Sequence, residues 1–253
     1  MEVNVLASGS SGNCVTIDDT IIIDAGVDCN PKGKALLITH IHTDHTKALG
    51  KLGGVSIYTS QEVADKLSKK HPYLAFNVLE TGKKYMLKFD GETYFVTAIR
   101  LKHDVPCIGF DIEHDGERIL YATDFNEIVD DVDVRDYTAL YLECNNTLNP
   151  HDLVDAFFGE EKPKDEFHRR KSYYNHCNVG YLVSLFERAG FTHDKPCDIP
   201  LTLLHKSSYY YLSNSERLVD LCKIANVKNP LMELVRPSGV TICHNLNENK
   251  INA

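Results

Sequence analysis

Short apolar segments separated by turn-forming residues follow one another along the first half of the chain. They are rich in β-branched and aromatic residues, which favour strands. The segment ALLIT at residues 35–39 is apolar almost throughout and therefore predicts a strand buried on both faces. In chain order, the predicted strands are EVNVLA, CVTID, TIIIDAG, ALLIT, VSIYT, GETYFVTAIR, CIGFDIE, ERILYATD and TALYLECN.

Helical spacing of apolar residues appears in three further segments, which are SQEVADKLSKK, NVGYLVSLFERAG and NSERLVDLCKIA. LTLLH and GVTICH add two strands near the carboxyl end. Strands and helices alternate without a break, so we predict one α/β domain over residues 1–253. Within it we expect a charged excursion or lid at about 152–175 and a C-terminal tail at about 229–253.

The charge of the chain bears on its partners. The formal net charge is −9, whereas a polynucleotide-binding protein usually carries a basic surface. The acidic balance therefore weighs mildly against a long nucleic-acid substrate. The eight cysteines form no CxxC pair, and the start has no secretory signal, so we expect reduced thiols in a cytoplasmic protein. No stretch is long and apolar enough to predict a membrane span.

The hexapeptide HIHTDH at residues 40–45 concentrates metal-binding side chains directly after the predicted strand ALLIT. His40 and His42 are two residues apart, so an extended chain can direct them to the same side. Asp44 and His45 follow where the chain turns into a helix. Neighbouring residues cannot easily all surround one ion, so the spacing favours two adjacent ions that each take part of the set.

The hexapeptide resembles the HxHxDH signature of the metallo-β-lactamase fold. This resemblance implies an α/β fold, an αββα sandwich of two mixed sheets flanked by helices, with two divalent ions, zinc or else manganese. It implies that Asp24, in IIIDAG, holds the HxHxDH loop through hydrogen bonds. The implied metal ligands are His40, His42, Asp44, His45, His103 in RLKHDVPCIGF, Asp124 in ILYATDF and His205 in LTLLHKS.

Further segments resemble one branch of this family. LASGSSGNC resembles the start of YycJ-type proteins and, less closely, of nucleases related to RNase J and tRNase Z. The segment YLECN then places Glu143 and Asn145 near the site. NHCNVGYLVSLF implies that His176 is a phosphate ligand or a general acid, and Asp44 or His176 could protonate the leaving oxygen. These relatives imply phosphoester hydrolysis, which a two-metal site suits.

The expected substrate is a small nucleotide. The size of the chain, its acidity and its charged excursion look similar to the anti-Pycsar phosphodiesterases of bacteriophages. These are homodimers that open cyclic mononucleotides such as cyclic CMP and cyclic UMP. His168, Arg169 and Arg170 are candidates for gripping a phosphate. The candidates for stacking a base are Tyr173, Tyr174, Tyr209 and Tyr210.

Two alternatives stay open. One is a YycJ-like 5′ exonuclease acting on DNA or RNA, and the other is a non-catalytic protein that binds a nucleotide on a degenerate site. The complete set of candidate ligands disfavours the second. Four histidines outside the ligand set match no position of the family and are expected at the surface, namely His114, His151, His193 and His244.

Overall fold

Two β-sheets stacked face to face form the centre of the protein in the computed structural model. The structure describes residues 1–29, 32–148, 173–207, 210–231, 233–235 and 241–243. Sheet one has its strands in chain order, antiparallel from β1 to β3 and parallel from β3 to β6. Its strands are β1 (Val3–Ala7), β2 (Cys14–Ile17), β3 (Ile21–Ile23), β4 (Ala35–Leu37), β5 (Ser56–Thr59) and β6 (Phe76–Val78).

Sheet two has a similar plan, with antiparallel pairs at one side and parallel pairs at the other. Its strands are β7 (Lys84–Phe89), β8 (Glu92–Lys102), β9 (Cys107–His114), β10 (Glu117–Ala122), β11 (Glu127–Ile128), β12 (Ala139–Glu143), β13 (Pro200–Leu204) and β14 (Asn226–Val227). The order is β11-β8-β9-β10-β12-β13-β14, and β7 also pairs with β8. A separate antiparallel pair consists of β15 (Glu233–Val235) and β16 (Thr241–Cys243).

Helices cover the outer faces of both sheets. They are α1 (Thr43–Thr46), α2 (Gln61–Lys70), α3 (Val179–Arg188) and α4 (Glu216–Ile224), with single 3₁₀ turns at Leu49–Lys51 and Val134–Asp136. Val63 and Leu67 of α2 pack on sheet one. Leu182 of α3 and Leu221 of α4 pack on sheet two. None of the helices among these residues is long and apolar enough to cross a membrane.

The alternation of side chains in buried strands explains the continuous apolar runs. Ile21 and Ile23 of β3 face the core between the sheets, whereas Ile22 belongs to the cluster under α2. Both faces of such a strand are therefore apolar. The four layers are helix, sheet, sheet and helix, so the predicted αββα sandwich is confirmed.

All the predicted strands and helices are present, but β6, β7, β11, β14 and β15 were not predicted. The proposed lid at 152–175 lies outside the described residues except for 173–175, as does most of the tail at 229–253, and the single domain stays a prediction. The expectation of eight reduced thiols was wrong at one pair, because Cys14 and Cys29 form a disulfide. The fold brings their Cα atoms to 6.4 Å across a separation of 15 residues, which no local spacing signals.

Candidate metal centre

The seven predicted ligands come together at one edge of the two sheets, where strands end. The HIHTDH loop follows β4 of sheet one. His103 follows β8, Asp124 lies just after β10, and His205 follows β13, all in sheet two. Strands that run in the same direction end at the same edge, so residues far apart in sequence become neighbours there. The site therefore joins both sheets.

Three site residues turn the chain sharply as they leave their strands. Asp24, Asp124 and His205 have φ angles of 60°, 56° and 48°. These values lie in the left-handed region, which residues other than glycine seldom adopt. Such backbone conformations cluster at functional sites, where the surrounding structure holds them. Among these residues, His205 is held by a hydrogen bond from its backbone N–H to the Ser8 hydroxyl at 2.8 Å.

The first group of ligands consists of three imidazoles. Nε2 of His40 lies 3.1 Å from Nδ1 of His42, which lies 3.4 Å from Nε2 of His103. Nδ1 of His103 donates to the carbonyl oxygen of Asn175 at 3.1 Å, so its Nε2 presents a lone pair to the group. Burial and the neighbouring His45 lower the pKa of His40 well below its ordinary value. Neutral imidazoles whose nitrogens converge are the donor set that a divalent ion requires.

Asp124 connects this first group with a second one. Its Oδ2 lies 3.0 Å from Nε2 of His45, and its Oδ1 lies 3.3 Å from Nδ1 of His205. Donor atoms of Asp124, His40 and His45 also lie within 4.8 Å of one another. Burial opposes the charge on Asp124, but the positive charges of His205 and His45 hold its pKa well below the ordinary value. An ionised carboxylate between two groups of imidazoles could serve as a ligand on the side of either group, in keeping with its implied role as a metal ligand.

Asp44 lies at the margin of the second group. Its Oδ2 is 3.6 Å from Nε2 of His45 and 3.4 Å from the side-chain nitrogen of Asn13. Burial by itself would lower the pKa of His45, but the charges of Asp24 and Asp124 raise it well above the ordinary value. A cation that binds there must therefore displace a proton.

Asp24 has the geometry expected of a residue that positions the loop. Its Oδ2 accepts a hydrogen bond from Nδ1 of His45 at 2.7 Å. Its Oδ1 accepts from the backbone N–H of Thr39 at 2.9 Å, and the Thr39 hydroxyl donates to the same carboxylate. Because Nδ1 of His45 is engaged in this way, Nε2 is directed at the metal-binding side.

Glu143 is a buried anchor for both His176 and His205. Its Oε1 accepts from Nδ1 of His176 at 2.5 Å and from Nδ1 of His205 at 3.1 Å. Its Oε2 accepts from the backbone N–H of Phe125 at 2.8 Å, directly after Asp124. Burial would lower the pKa of His176, but the charge of Glu143 and its hydrogen bond raise it to about 9. His176 is therefore a cation at neutral pH, with its ring 4.8 Å from that of His205.

Asn145 acts on the backbone. Its side-chain amide donates to the backbone carbonyl oxygen of His205 at 2.9 Å, and its own backbone carbonyl oxygen accepts from the N–H of Ser207 at 3.1 Å. It therefore fixes the turn that presents His205, close to the site as the sequence implied.

The structure describes only some of the residues that were predicted to bind the substrate. His168, Arg169, Arg170 and Tyr209 lie outside the described residues. Tyr173 and Tyr174 precede His176, with their ring centroids 5.2 Å apart, and the side chain of Tyr174 is 67% exposed. Tyr210 is buried in the core and cannot stack on a substrate base.

Sequence reasoning missed three polar residues at the site. Buried Asn13 places its side-chain nitrogen 2.8 Å from Nε2 of His45, and its Oδ1 accepts from the N–H of Gly9. Ser8 lies in the same segment as Asn13, LASGSSGNC. This segment was recognised as a mark of one branch of the family, but it gave no indication that its polar residues contact the site. Asp104 directly follows His103, and its Oδ1 lies 3.2 Å from Nε2 of His103 and 3.4 Å from Nε2 of His42.

Comparison with known proteins gives three structures of the same fold. YhfI of Bacillus subtilis, described as a metallo-β-lactamase fold protein, is 16% identical, with a TM-score of 0.61 over 90% of this chain and 95% of YhfI. Yeast PDE1 is 10% identical, with a TM-score of 0.60 over 89% of this chain and 95% of PDE1. The short form of human tRNase Z is 18% identical, with a TM-score of 0.52 over 82% of this chain and 93% of that enzyme.

Comparison by sequence gives the family. Curated proteins yield no match, but the family model described as a beta-lactamase superfamily domain matches residues 21–156. The matched segment contains the HIHTDH loop, His103 and Asp124. Family, fold and a cluster of histidines and aspartates able to hold metal agree with the prediction of a metal-dependent hydrolase. Because the family model matches more than half of this chain, the chain belongs to the beta-lactamase superfamily.

Proposed function

We propose that this protein hydrolyses a small nucleotide phosphodiester with the help of two divalent ions. The substrates would be 3′,5′-cyclic mononucleotides, with cyclic CMP and cyclic UMP first and cyclic AMP and cyclic GMP next. The observation that carries the proposal is the position of His176, which Glu143 holds with its ring 5.4 Å from that of His103 and 4.8 Å from that of His205. A phosphodiester is an anion, and its hydrolysis places further negative charge on the oxygens that such a site surrounds.

The ligand groups described above would hold the ions. His40, His42 and His103 would take one, and Asp44, His45 and His205 would take the other, with Asp124 between them. When bound, the ions would stabilise the charge that builds on the phosphoryl oxygens. Zinc suits this imidazole and carboxylate set, and manganese is the alternative.

His176 has one ring nitrogen left for the substrate. Its Nδ1 is bound to Glu143, and Nε2 makes no hydrogen bond among the described residues. The side chain is 14% exposed, so a substrate can reach it. Nε2 would donate a hydrogen bond to the phosphoryl group, or a proton to the leaving oxygen of the ribose.

The size of the substrate is supported by charge and by the rim of the site. The net charge of −9 disfavours a long polyanion. Among the described residues, Asp24, Asp44, Asp124 and Glu143 pair with histidines and with no lysine or arginine. The exposed ring of Tyr174, two residues before His176, could stack on the base of a nucleotide whose phosphate lies at the metals. The fold shared with yeast PDE1 also favours a phosphodiesterase.

The test is a chromatographic substrate panel with purified protein in zinc and in manganese. The panel holds cyclic CMP, cyclic UMP, cyclic AMP, cyclic GMP and a 5′-phosphorylated single-stranded DNA. We expect the cyclic mononucleotides to open, with Asp124→Asn inactive and Asp194→Asn, a change at an exposed aspartate, fully active. Stepwise shortening of the DNA with the cyclic compounds untouched would instead establish the exonuclease. Bound but unchanged nucleotide in every assay would establish a non-catalytic binding protein.

The expected homodimer and a cytoplasmic location, in the host cell if a phage encodes the protein, are part of the same proposal. Light scattering on the purified protein tests the first. A mass equal to the single chain's 28.5 kDa would refute the homodimer, whereas twice that mass would support it.

A further inference from the structure

A second group of metal-binding side chains surrounds His114, at the end of sheet two away from the catalytic edge. His114 is the last residue of β9 and matched no ligand of the family. The expectation of a surface residue was wrong, because the His114 side chain is only 9% exposed. The ring of Tyr94 stacks on it, with centroids 4.1 Å apart and an angle of 20° between the planes. Its position is therefore fixed by packing.

The hydrogen bonds of His114 determine which nitrogen faces its neighbours as an acceptor. Nδ1 lies 3.0 Å from the carbonyl oxygen of Thr93. A carbonyl oxygen only accepts, so Nδ1 carries the hydrogen. Metal-binding histidines usually donate their other N–H in this way, which directs the remaining nitrogen at the ion. Among the described residues, Nε2 of His114 makes no hydrogen bond.

Nε2 points at two carboxylates. It lies 3.6 Å from Oε2 of Glu92 and 3.6 Å from Oδ2 of Asp115, and the three atoms lie within 4.8 Å of one another. These separations are too long for hydrogen bonds. Two ligands bound at 2.0–2.2 Å to a tetrahedral ion lie about 3.4 Å apart, which is close to the observed spacing. A cation between this nitrogen and the two carboxylates would bring the three groups together and balance the two negative charges.

We propose that Glu92, His114 and Asp115 bind a divalent zinc ion outside the catalytic centre. One imidazole and two carboxylates are three of the four ligands of a zinc ion, and water can complete the set. Glu92 begins β8, and Asp115 begins the turn between β9 and β10. The ion would therefore tie the start of β8 to that turn. The catalytic His103 follows the other end of β8, roughly 35 Å away along an extended strand.

The zinc content of the protein tests this inference independently of the proposed function. Each variant is dialysed against zinc, and the bound metal per chain is measured by elemental analysis. We expect His114→Gln and the double variant Glu92→Gln/Asp115→Asn to bind one zinc ion fewer than the wild type. The double variant removes exposed carboxylates and leaves the stack of His114 on Tyr94, so its loss of zinc cannot come from misfolding of that core.

The matched control is Asp90→Asn/Asp136→Asn, which removes two exposed acidic charges from the same surface outside the group. We expect it to bind as much zinc as the wild type. Equal zinc in all proteins would overturn the inference. Loss of the ion in the control as well would also overturn it, because general negative charge rather than this group would then attract the metal.

Discussion

Single buried residues that do not bind metal themselves hold the candidate centre in place. Glu143 contacts His205 and the backbone next to Asp124, while Asp24 and Asn13 both hold the HIHTDH loop. Removing such a partner typically lowers metal affinity or activity by about 10–100-fold, because ligands lose their orientation. The effects of these residues can therefore be tested one at a time.

Replacing Glu143 with glutamine should lower the pKa of His176. The Glu143 charge raises this pKa to about 9, so its loss should move the midpoint toward the ordinary value of 6.5. The measurement is an NMR titration of the His176 ring in metal-free protein. Glu127→Gln, on an exposed strand and paired with Lys102, is the control and should leave the midpoint unchanged. A midpoint near 9 in Glu143→Gln would show that Glu143 does not set the charge of His176.

Replacing Asn13 with alanine should weaken zinc binding at the catalytic centre. Asn13 links Gly9 to the backbone of Asp44 and contacts His45, so its loss frees the loop that carries both predicted ligands. We expect affinity to fall by about 10–100-fold, measured by competition with a chromogenic chelator. Asn4→Ala, at an exposed position of β1, should bind zinc as the wild type does. Unchanged affinity in Asn13→Ala would mean that the loop is held without it.

At the scale of elements, close contact between two loops shapes the site. The segment after β3 is hydrogen-bonded to the α1 turn, through Ala25 N–H to the carbonyl oxygen of His45 and Ala48 N–H to that of Ala25. Gly26 lies where this segment meets both Asn13 and Asp44. A Cβ atom there would lie 1.6 Å from the backbone oxygen of Asp44. Only glycine allows the loops to approach this closely.

Gly26→Ala should therefore force the two loops apart. We expect a loss of about 1–3 kcal/mol or more in unfolding free energy, because backbone atoms must move to admit the methyl group. Thermal or denaturant unfolding measures it, together with the zinc retained after dialysis. Gly53→Ala is the matched control, since a Cβ at Gly53 meets nothing within 4 Å. Equal stability of the two variants would contradict the close approach.

The elements that pattern analysis missed are short or polar. β6, β11, β14 and β15 have two or three residues, and β7, KYMLKF, carries lysines on its exposed face. A strand that buries one face weakly gives a weak alternating signal, because pairing with its neighbour stabilises it more than its own side chains do. The buried apolar strands gave the strong signal and were predicted, even where they are as short as β3 and β4.

At the scale of the whole molecule, the metals would connect the two sheets. The HIHTDH loop follows a strand of sheet one, while His103, Asp124 and His205 follow strands of sheet two. An ion that binds the folded protein and not the unfolded chain shifts the folding equilibrium toward the fold. Metal binding and global stability should therefore be coupled.

Removing metal with a chelator should lower the unfolding temperature, and adding zinc back should restore it. At free zinc 100-fold above the dissociation constant, one site adds about 2.7 kcal/mol of stability. The coupling should weaken at lower pH, because His45 must lose a proton before it binds a cation. Calorimetry with and without chelator measures the effect. Asp124→Asn should respond much less than wild type, and an equal response in both would place the stabilising metal elsewhere.

The sequence by itself determined the α/β class of the fold and the HIHTDH candidates, whereas the layered sandwich was implied by the resemblance to the family. Buried strands and amphipathic helices leave periodic patterns, and HIHTDH is a local motif, so both can be read without coordinates. The matches of His103, Asp124 and His205 depended on the resemblance to the family, since an isolated histidine or aspartate carries no local signal.

Only the tertiary structure decided which polar residues support those ligands. Glu143 contacts His205 across 62 positions, and Asn13 contacts His45 across 32, so no sequence period relates them. The same holds for the disulfide between Cys14 and Cys29 and for the group around His114. These contacts arise because strands distant in sequence end at a common edge of the sheets, and that arrangement is a property of the packed chain rather than of any segment.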